Sequence, residues 1–418
     1  MTQTAFNQDL LDFLASSPTP YHATHELSRH LEEEGFLKLD EADTWNLQKG
    51  QRYYLSRNDS SLIAFVYGQE DIAQNGISMV GAHTDSPCLK LKPNTIIHKK
   101  GYIQLGVEVY GGALLNPWFD RDLSLAGRVS GLNEKDELVH PLIDFQRPVA
   151  VIPSLAIHLD KEANKNRTIN AQTDIPPIMM QSEESVSFEE ILLKESGLKE
   201  VLDFELMFYD TQKPAFIGLN GEFLASARLD NLLSCYVGLQ AMKEASTQKS
   251  ALLICSDHEE VGSESTSGAA GPFLEMVLKR INPEYESYSR MINASMMISA
   301  DNAHGVHPNF TSKHDENHGP LLNKGPVIKV NANQRYASNS ETVSSFKLLC
   351  KQSDIPYQSF VTRTDMGCGS TIGPITATKI GVKTLDVGLP TFAMHSIRES
   401  AGDKDAYMLY TVLKHYFS

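Results

Sequence analysis

Four apolar, strand-like runs in this chain end directly on acidic or imidazole side chains, and this pattern constrains the fold more than any other feature. ISMVGA (77–82) leads to His83-Thr84-Asp85, and ALLICS (251–256) leads to Asp257-His258-Glu259-Glu260. SMMISA (295–300) leads to Asp301, and Thr391-Phe392-Ala393-Met394 leads to His395. In open α/β sheets, sites form beyond the carboxyl ends of the strands, so these ends are expected to converge on one crevice. Asp230 supplies a fifth place. It follows Ala227-Arg228-Leu229 and opens the helical run NLLSCYVGLQAM. A carboxylate suits a helix N-terminus, and by itself Asp230 reads first as a simple cap.

The residue types carry the chemistry. His83 and Asp85 read as a metal ligand and its orienting partner, because a ligating imidazole usually donates its other N–H to a carboxylate. Glu259 and Glu260 would repel each other at a buried strand end unless cations sat nearby. Adjacent side chains diverge, so one binds metal while the other faces the reacting water. The set His83, Asp230, Glu260, Asp301 and His395 contains nitrogen and oxygen donors without sulfur. It suits two zinc, cobalt or manganese ions bridged by a carboxylate, with Glu259 as general base.

Periodicity predicts helices over 5–16 and about 21–35, separated by Ser17-Pro18-Thr19-Pro20, and then strands at 61–68 and 77–82. From about residue 92 the texture changes to short, glycine-punctuated β segments such as YIQLGVEVYGG and LSLAGRVSG. The polar stretch Lys161–Ser187 reads as a long loop. Helix-and-strand alternation returns near Leu224. The expected organisation is an α/β catalytic domain in two segments, 1–91 and 225–418, with a β-rich domain at 92–224 inserted between them.

Composition fits that reading. Hydrophobic residues make up 41% and charged residues 21%, which suits a globular chain with a real core. With 37 Lys+Arg against 52 Asp+Glu, the net charge of −15 argues against a nucleic-acid binder. The five cysteines are scattered, without a CxxC pair, which argues against a disulfide framework and a thiolate zinc site. No basic leader precedes an apolar core at the N-terminus, and no run reaches the roughly 18 residues of a membrane span. A cytoplasmic location without membrane partners is expected.

Together, GAHTDSP (81–87), ARLDNLLS (227–234), DHEEVGS (257–263), SADNAHGVHPN (299–309) and AMHSIRE (393–399) resemble the motifs of the aspartyl aminopeptidase (M18) family. SPTPYHA (17–23), KVNANQRYASN (329–339) and GCGSTIGPI (367–375) match as well, so the resemblance spans essentially the whole chain. It implies a zinc-peptidase α/β/α sandwich with an inserted β-rich dimerisation domain, assembled from dimers into a tetrahedral dodecamer. Two divalent ions are implied, zinc first. Asp230 is the bridging ligand ahead of a cis Asp230-Asn231 bond, with His83 and Asp301 on one metal and Glu260 and His395 on the other. Glu259 is implied as the general base and Asp85 as the partner of His83. His158, in AIHLD, resembles a histidine that reaches a neighbouring subunit's active site.

The family name implies peptide substrates beginning with Asp or Glu. Lys329 is the first substrate-binding candidate, with Tyr336 beside it; Arg335 and Arg363 are weaker ones, Arg335 having the alternative of holding its loop. A departure at Met366-Gly367, where acid-specific members read Thr/Ser-Pro, points to a pocket that also admits apolar residues. A dinuclear N-acyl amino acid deacylase is the related alternative. The remaining histidines are expected to be structural (His304, His307), turned away from the glutamate pair (His258) or at the surface (His314, His318).

Overall fold

The computed structural model describes residues 1–418, which divide into two compact units. The larger comprises Met1–Asp85, Pro214–Met394 and Glu399–Ser418. Its centre is four mutually parallel strands in the spatial order Ser250–Ser256, Ile77–His83, Met296–His304 and Lys383–Phe392. The first three are apolar runs singled out from the sequence, and the fourth ends on Thr391 and Phe392 of the last run. Buried on both faces, they need no polar alternation. Antiparallel strands extend the sheet on either side: Ser61–Val66 and Arg52–Arg57 on one, Glu399–Gly402, Phe223–Ser226 and Ala215–Ile217 on the other.

Because side chains alternate along a strand, the same runs feed two cores. Val80, Leu253, Ile298 and Val387 join a cluster with the helices Gln3–Ala15, Pro20–Glu33, Leu229–Lys243 and Asp405–Tyr416. Met79, Leu252, Ile254 and Met297 join another with the helices Phe273–Ile281 and Tyr285–Ala294. The unit is therefore a helix–sheet–helix sandwich. Leu229–Lys243 is buried almost throughout. Each Leu or Val removed from water there contributes about 1.5–3 kcal/mol, which anchors the helix whose first turn carries Asp230.

The smaller unit comprises Ser86–Lys213 and His395–Arg398. It is a wholly antiparallel sheet in the order Ile178–Gln181, Tyr102–Tyr110, Cys88–Lys99, Glu200–Asp210, Leu123–Leu132 and Leu138–Val139. One core around Trp118, Leu125, Leu206 and Phe208 supports it, with the helix Phe188–Ser196 packed alongside.

Three local expectations are corrected. The units part at 85/86 and 213/214 rather than at 91/92 and 224/225. Strand pairing decides this: Cys88–Lys99 belongs to the smaller sheet, whereas Ala215–Ile217 and Phe223–Ser226 complete the larger one. The polar stretch 161–187 is not all loop, since Ile178–Gln181 pairs with Tyr102–Tyr110. The strand read as ending at residue 300 continues through Asp301 to His304, because Lys383–Phe392 pairs with it along its whole length.

Candidate metal centre

The parallel strands deliver their ends together. Ser256 pairs in register with His83, and the Thr84 N–H donates to Ser256 O at 2.8 Å. Beyond Ser256, His258 takes a left-handed conformation (φ +62°) and the chain enters the short 3-10 turn Glu259–Val261. Asp85, fully buried, organises that turn. Its Oδ1 accepts the Glu259 N–H at 3.1 Å and its Oδ2 accepts the Glu260 N–H at 3.0 Å. The same carboxylate lies 3.3 Å from His83 Nδ1, which is also 3.1 Å from Asp85 O. One aspartate thus fixes the imidazole and both glutamates.

Nε2 of His83 lies 3.4 Å from Asp230 Oδ1 and 3.6 Å from Asp301 Oδ1. The Asp230–Asn231 peptide bond is cis, and both residues are non-helical ahead of the regular helix. Asp230 is therefore more than a helix cap. Its N–H donates to Glu399 Oε2 at 2.9 Å, and Asn231 Nδ2 donates to Ala300 O at 2.9 Å, one residue before Asp301. Arg228, also left-handed, donates to Ser17 O at 2.9 Å and Leu14 O at 3.2 Å, at the end of the first helix.

Lys329 Nζ donates to Asp301 Oδ2 at 3.2 Å and to Asn302 O at 2.9 Å. Burial works to raise the Asp301 carboxyl, but Lys329 and His83 outweigh it and hold it well below the usual carboxylate range. Burial pushes Glu259 up to about 7; His83 opposes this, while Asp301, Asp85 and Asp230 add to it. Burial, with Asp230 beside it, pushes Glu260 up to about 10. Burial likewise disfavours a charged His83, but hydrogen bonds to Asp230, Asp301 and Asp85 raise it well above the ordinary histidine value.

This crowding is what divalent cations relieve. The ligand atoms of His83, Asp230 and Asp301 lie within 4.8 Å of one another, as do those of His83, Glu259 and Glu260, and those of Asp230 and Glu260. One imidazole and several carboxylates, without thiolate, fit zinc, cobalt or manganese.

The other expected residues fall as follows. His395 (φ +66°) lies three residues past the Lys383–Phe392 strand, with Nδ1 3.2 Å from Gly112 O. His158 sits in a surface turn where the Leu159 N–H donates to Ala156 O at 2.8 Å. Tyr336 is buried against Phe360, its ring 5.1 Å from Lys329 Nζ. Arg335 Nε donates to Cys368 O at 3.2 Å. His258 turns to Ser265 Oγ at 2.9 Å and Asp257. His304, His307 and His314 line a hollow of about 310 Å³, together with Tyr336, Phe360 and Met366. His314 is therefore not simply a surface residue; its Nε2 accepts the His307 N–H at 3.3 Å. Arg363, also on the hollow, is paired with Asp365 at 2.6 Å.

Sequence reasoning gave no role to Glu399 or Asn231, the two groups that hold Asp230. Their only signal was their place inside the runs AMHSIRE and ARLDNLLS.

A parallel sheet whose strand ends gather buried carboxylates and an imidazole defines a site built for divalent metal. The comparisons narrow this. The sequence profile described as "Aminopeptidase I zinc metalloprotease (M18)" matches residues 13–417. A "Probable M18 family aminopeptidase 2" of Pseudomonas aeruginosa (strain UCBPP-PA14) is 58% identical over 99% of this chain and 98% of its own. Among solved structures, that described as "Cryo-EM structure of the Ape4 and Nbr1 complex" superposes with a TM-score of 0.96 at 39% identity, over 99% of this chain and 86% of that one. The "Structure of S. cerevesiae mApe1 dodecamer" gives 0.86 at 27% identity, over 98% and 96%. The chain belongs to the M18 family of metallo-aminopeptidases, hydrolases that act on peptides.

Proposed function

We propose that the chain is a dinuclear aminopeptidase that removes N-terminal residues from peptides, with Asp and Glu preferred. The observation that carries this reading is that Asp230 stands within ligand distance of two groups at once, His83 with Asp301 and also Glu260. In the proposal Asp230 is shared, His83 and Asp301 complete one site, and Glu260 and His395 complete the other. Two zinc ions bound there, or cobalt or manganese in their place, would polarise the scissile carbonyl and lower the pKa of water toward about 7.

The chain's own residues do the rest. Glu259 accepts the proton of the attacking water and passes it to the leaving amine. Asp85 holds the His83 ring and the Glu259 turn in register. The carboxylates around the metals, with the metals, receive the substrate's free α-amine. His158 serves the site of a neighbouring copy, in a homo-oligomer built from dimers. The dodecameric assembly of the yeast relative supports that arrangement, and a tetrahedral dodecamer in the cytoplasm is the form proposed.

For the acidic preference, Lys329 is the proposed contact, with Tyr336 and Arg335 shaping the wall. An ammonium has three donors, and two go to Asp301 and Asn302 O, so one is left for a substrate carboxylate. A broader reading has its own support, because Phe360, Met366 and Phe392 give the hollow apolar walls.

A turnover panel of Asp, Glu and Leu p-nitroanilides, each free and N-acetylated, tests the proposal. The free acidic substrates should release p-nitroaniline fastest and the acetylated ones should release none; release of acetate from the acetylated forms would instead mark a deacylase. Lys329→Met should lower kcat/KM on Asp and Glu about 10–150-fold more than on Leu, since a charge-assisted contact is worth roughly 1.5–3 kcal/mol. An unchanged Asp-to-Leu ratio would confine Lys329 to its grip on Asp301.

A further inference from the structure

Asp386, a buried carboxylate outside the metal centre, bonds to residues beside the two segments that line the hollow. It sits in the Lys383–Phe392 strand opposite Ser299, fully buried, on the face away from Val387 and its cluster. Its Oδ2 accepts the Ala337 N–H at 2.6 Å and its Oδ1 accepts the Thr371 hydroxyl at 2.5 Å. The Ser338 hydroxyl accepts the Asp386 N–H at 2.9 Å. Thr371 caps the helix Ile372–Ile380. Gly373 in its first turn approaches so closely that a Cβ would fall 2.4 Å from Asp386 Oδ1 and 2.5 Å from Oδ2. Any larger residue there would push helix and carboxylate apart.

The two segments gripped by this carboxylate are the two walls of the hollow. Ala337 follows Tyr336, and Thr371 follows Met366, Gly367, Cys368 and Gly369; all five of those neighbours line it. The walls also meet at the surface, where Arg335 Nε donates to Cys368 O at 3.2 Å and the Ser370 hydroxyl donates to Arg335 O at 3.4 Å. These outer contacts are solvent-exposed and correspondingly weak, whereas those to the Asp386 carboxylate are buried at Thr371 and partly buried at Ala337.

We infer that Asp386 is a positioning residue for substrate selection, fixing the separation of the Tyr336 and Met366–Gly369 walls and so the size of side chain the hollow admits. The inference rests on the reading of that hollow as the pocket for the substrate's first side chain. It places the control of specificity in a residue that touches neither substrate nor metal.

The test is the Asp, Glu and Leu panel on the metal-loaded enzyme carrying Asp386→Asn, with Thr371→Val and the conservative Thr371→Ser beside it. Asp386→Asn keeps the size of the side chain but cannot accept through both atoms. kcat/KM should fall by up to about 100-fold, unequally across the panel and chiefly through KM, because a misplacement of about 1 Å is worth up to about 100-fold. Bound metal should stay as in the parent and kcat should move less. Thr371→Val should shift the panel the same way, and Thr371→Ser should restore it. Amide exchange at Ala337 should quicken in Asp386→Asn, a readout independent of turnover. Met366→Trp, which fills the hollow directly, separates the two claims. If it changes selectivity while Asp386→Asn and Thr371→Val do not, the role given to Asp386 is wrong. If Met366→Trp itself leaves the panel unaltered, the hollow is not the substrate pocket and the specificity claim falls with that reading.

Discussion

Glu259→Gln should lower kcat by about 10²–10⁴-fold, the usual worth of a general base, while the protein keeps its metal. The substitution is nearly isosteric, so the turn Glu259–Val261 and its backbone donors to Asp85 remain in place. What is lost is a proton acceptor. The surroundings already bias this group: burial, with Asp301, Asp85 and Asp230 nearby, pushes it up to about 7. Glu260→Gln is the control, since it should weaken metal occupancy instead. Metal analysis beside single-turnover kinetics distinguishes the pair; near-parental kcat in Glu259→Gln would reverse their assignment.

His158→Ala should lower kcat by about 10²–10³-fold, the scale of one lost oxyanion donor, with metal content and oligomer size unchanged. The residue stands in an exposed turn of the smaller unit, and its neighbours Leu155, Ile157 and Leu159 are 56%, 49% and 75% exposed. Three such side chains around one histidine suit a surface that a second copy covers. Mixing His158→Ala with Glu259→Gln subunits should restore part of the activity, because a mixed interface pairs an intact Glu259 with a neighbour's intact His158. If the subunits exchange and no activity returns, or if the active enzyme is a monomer by light scattering, the shared site does not exist.

The parts of the centre that could be read from sequence were those written locally. An apolar run followed by His, Asp or Glu marks a strand end wherever it occurs, so His83, Glu259 and Glu260 stood out before any geometry was known. Asp301 was identified for a slightly wrong reason. It lies within its strand rather than beyond it, because the neighbouring strand extends the pairing past the apolar run. By local pattern alone Asp230 looked like a cap, since a non-helical first turn leaves no mark in helix propensity; only the family resemblance pointed to a cis bond after it, and that bond is present. The groups that hold the ligands are joined across the fold. Glu399 meets Asp230 over 169 residues of chain and Lys329 meets Asp301 over 28, distances at which no local pattern reports a contact. Unit boundaries were blurred for the same reason, as β-rich texture does not say which sheet a strand will join. The second strand order, the hollow and the Asp386 clamp emerge only from tertiary packing.

The most direct test of the account is a zinc titration of chelator-stripped protein, following bound metal and turnover of an N-terminal Asp substrate together. Stripped protein should keep its fold, because the larger unit buries cores on both faces of its sheet, but should show no turnover. Activity should return as zinc is added and level off at two ions per chain. Full turnover in a preparation verified to be metal-free, or saturation with a single ion, would contradict the proposed dinuclear centre of His83, Asp230, Glu260, Asp301 and His395.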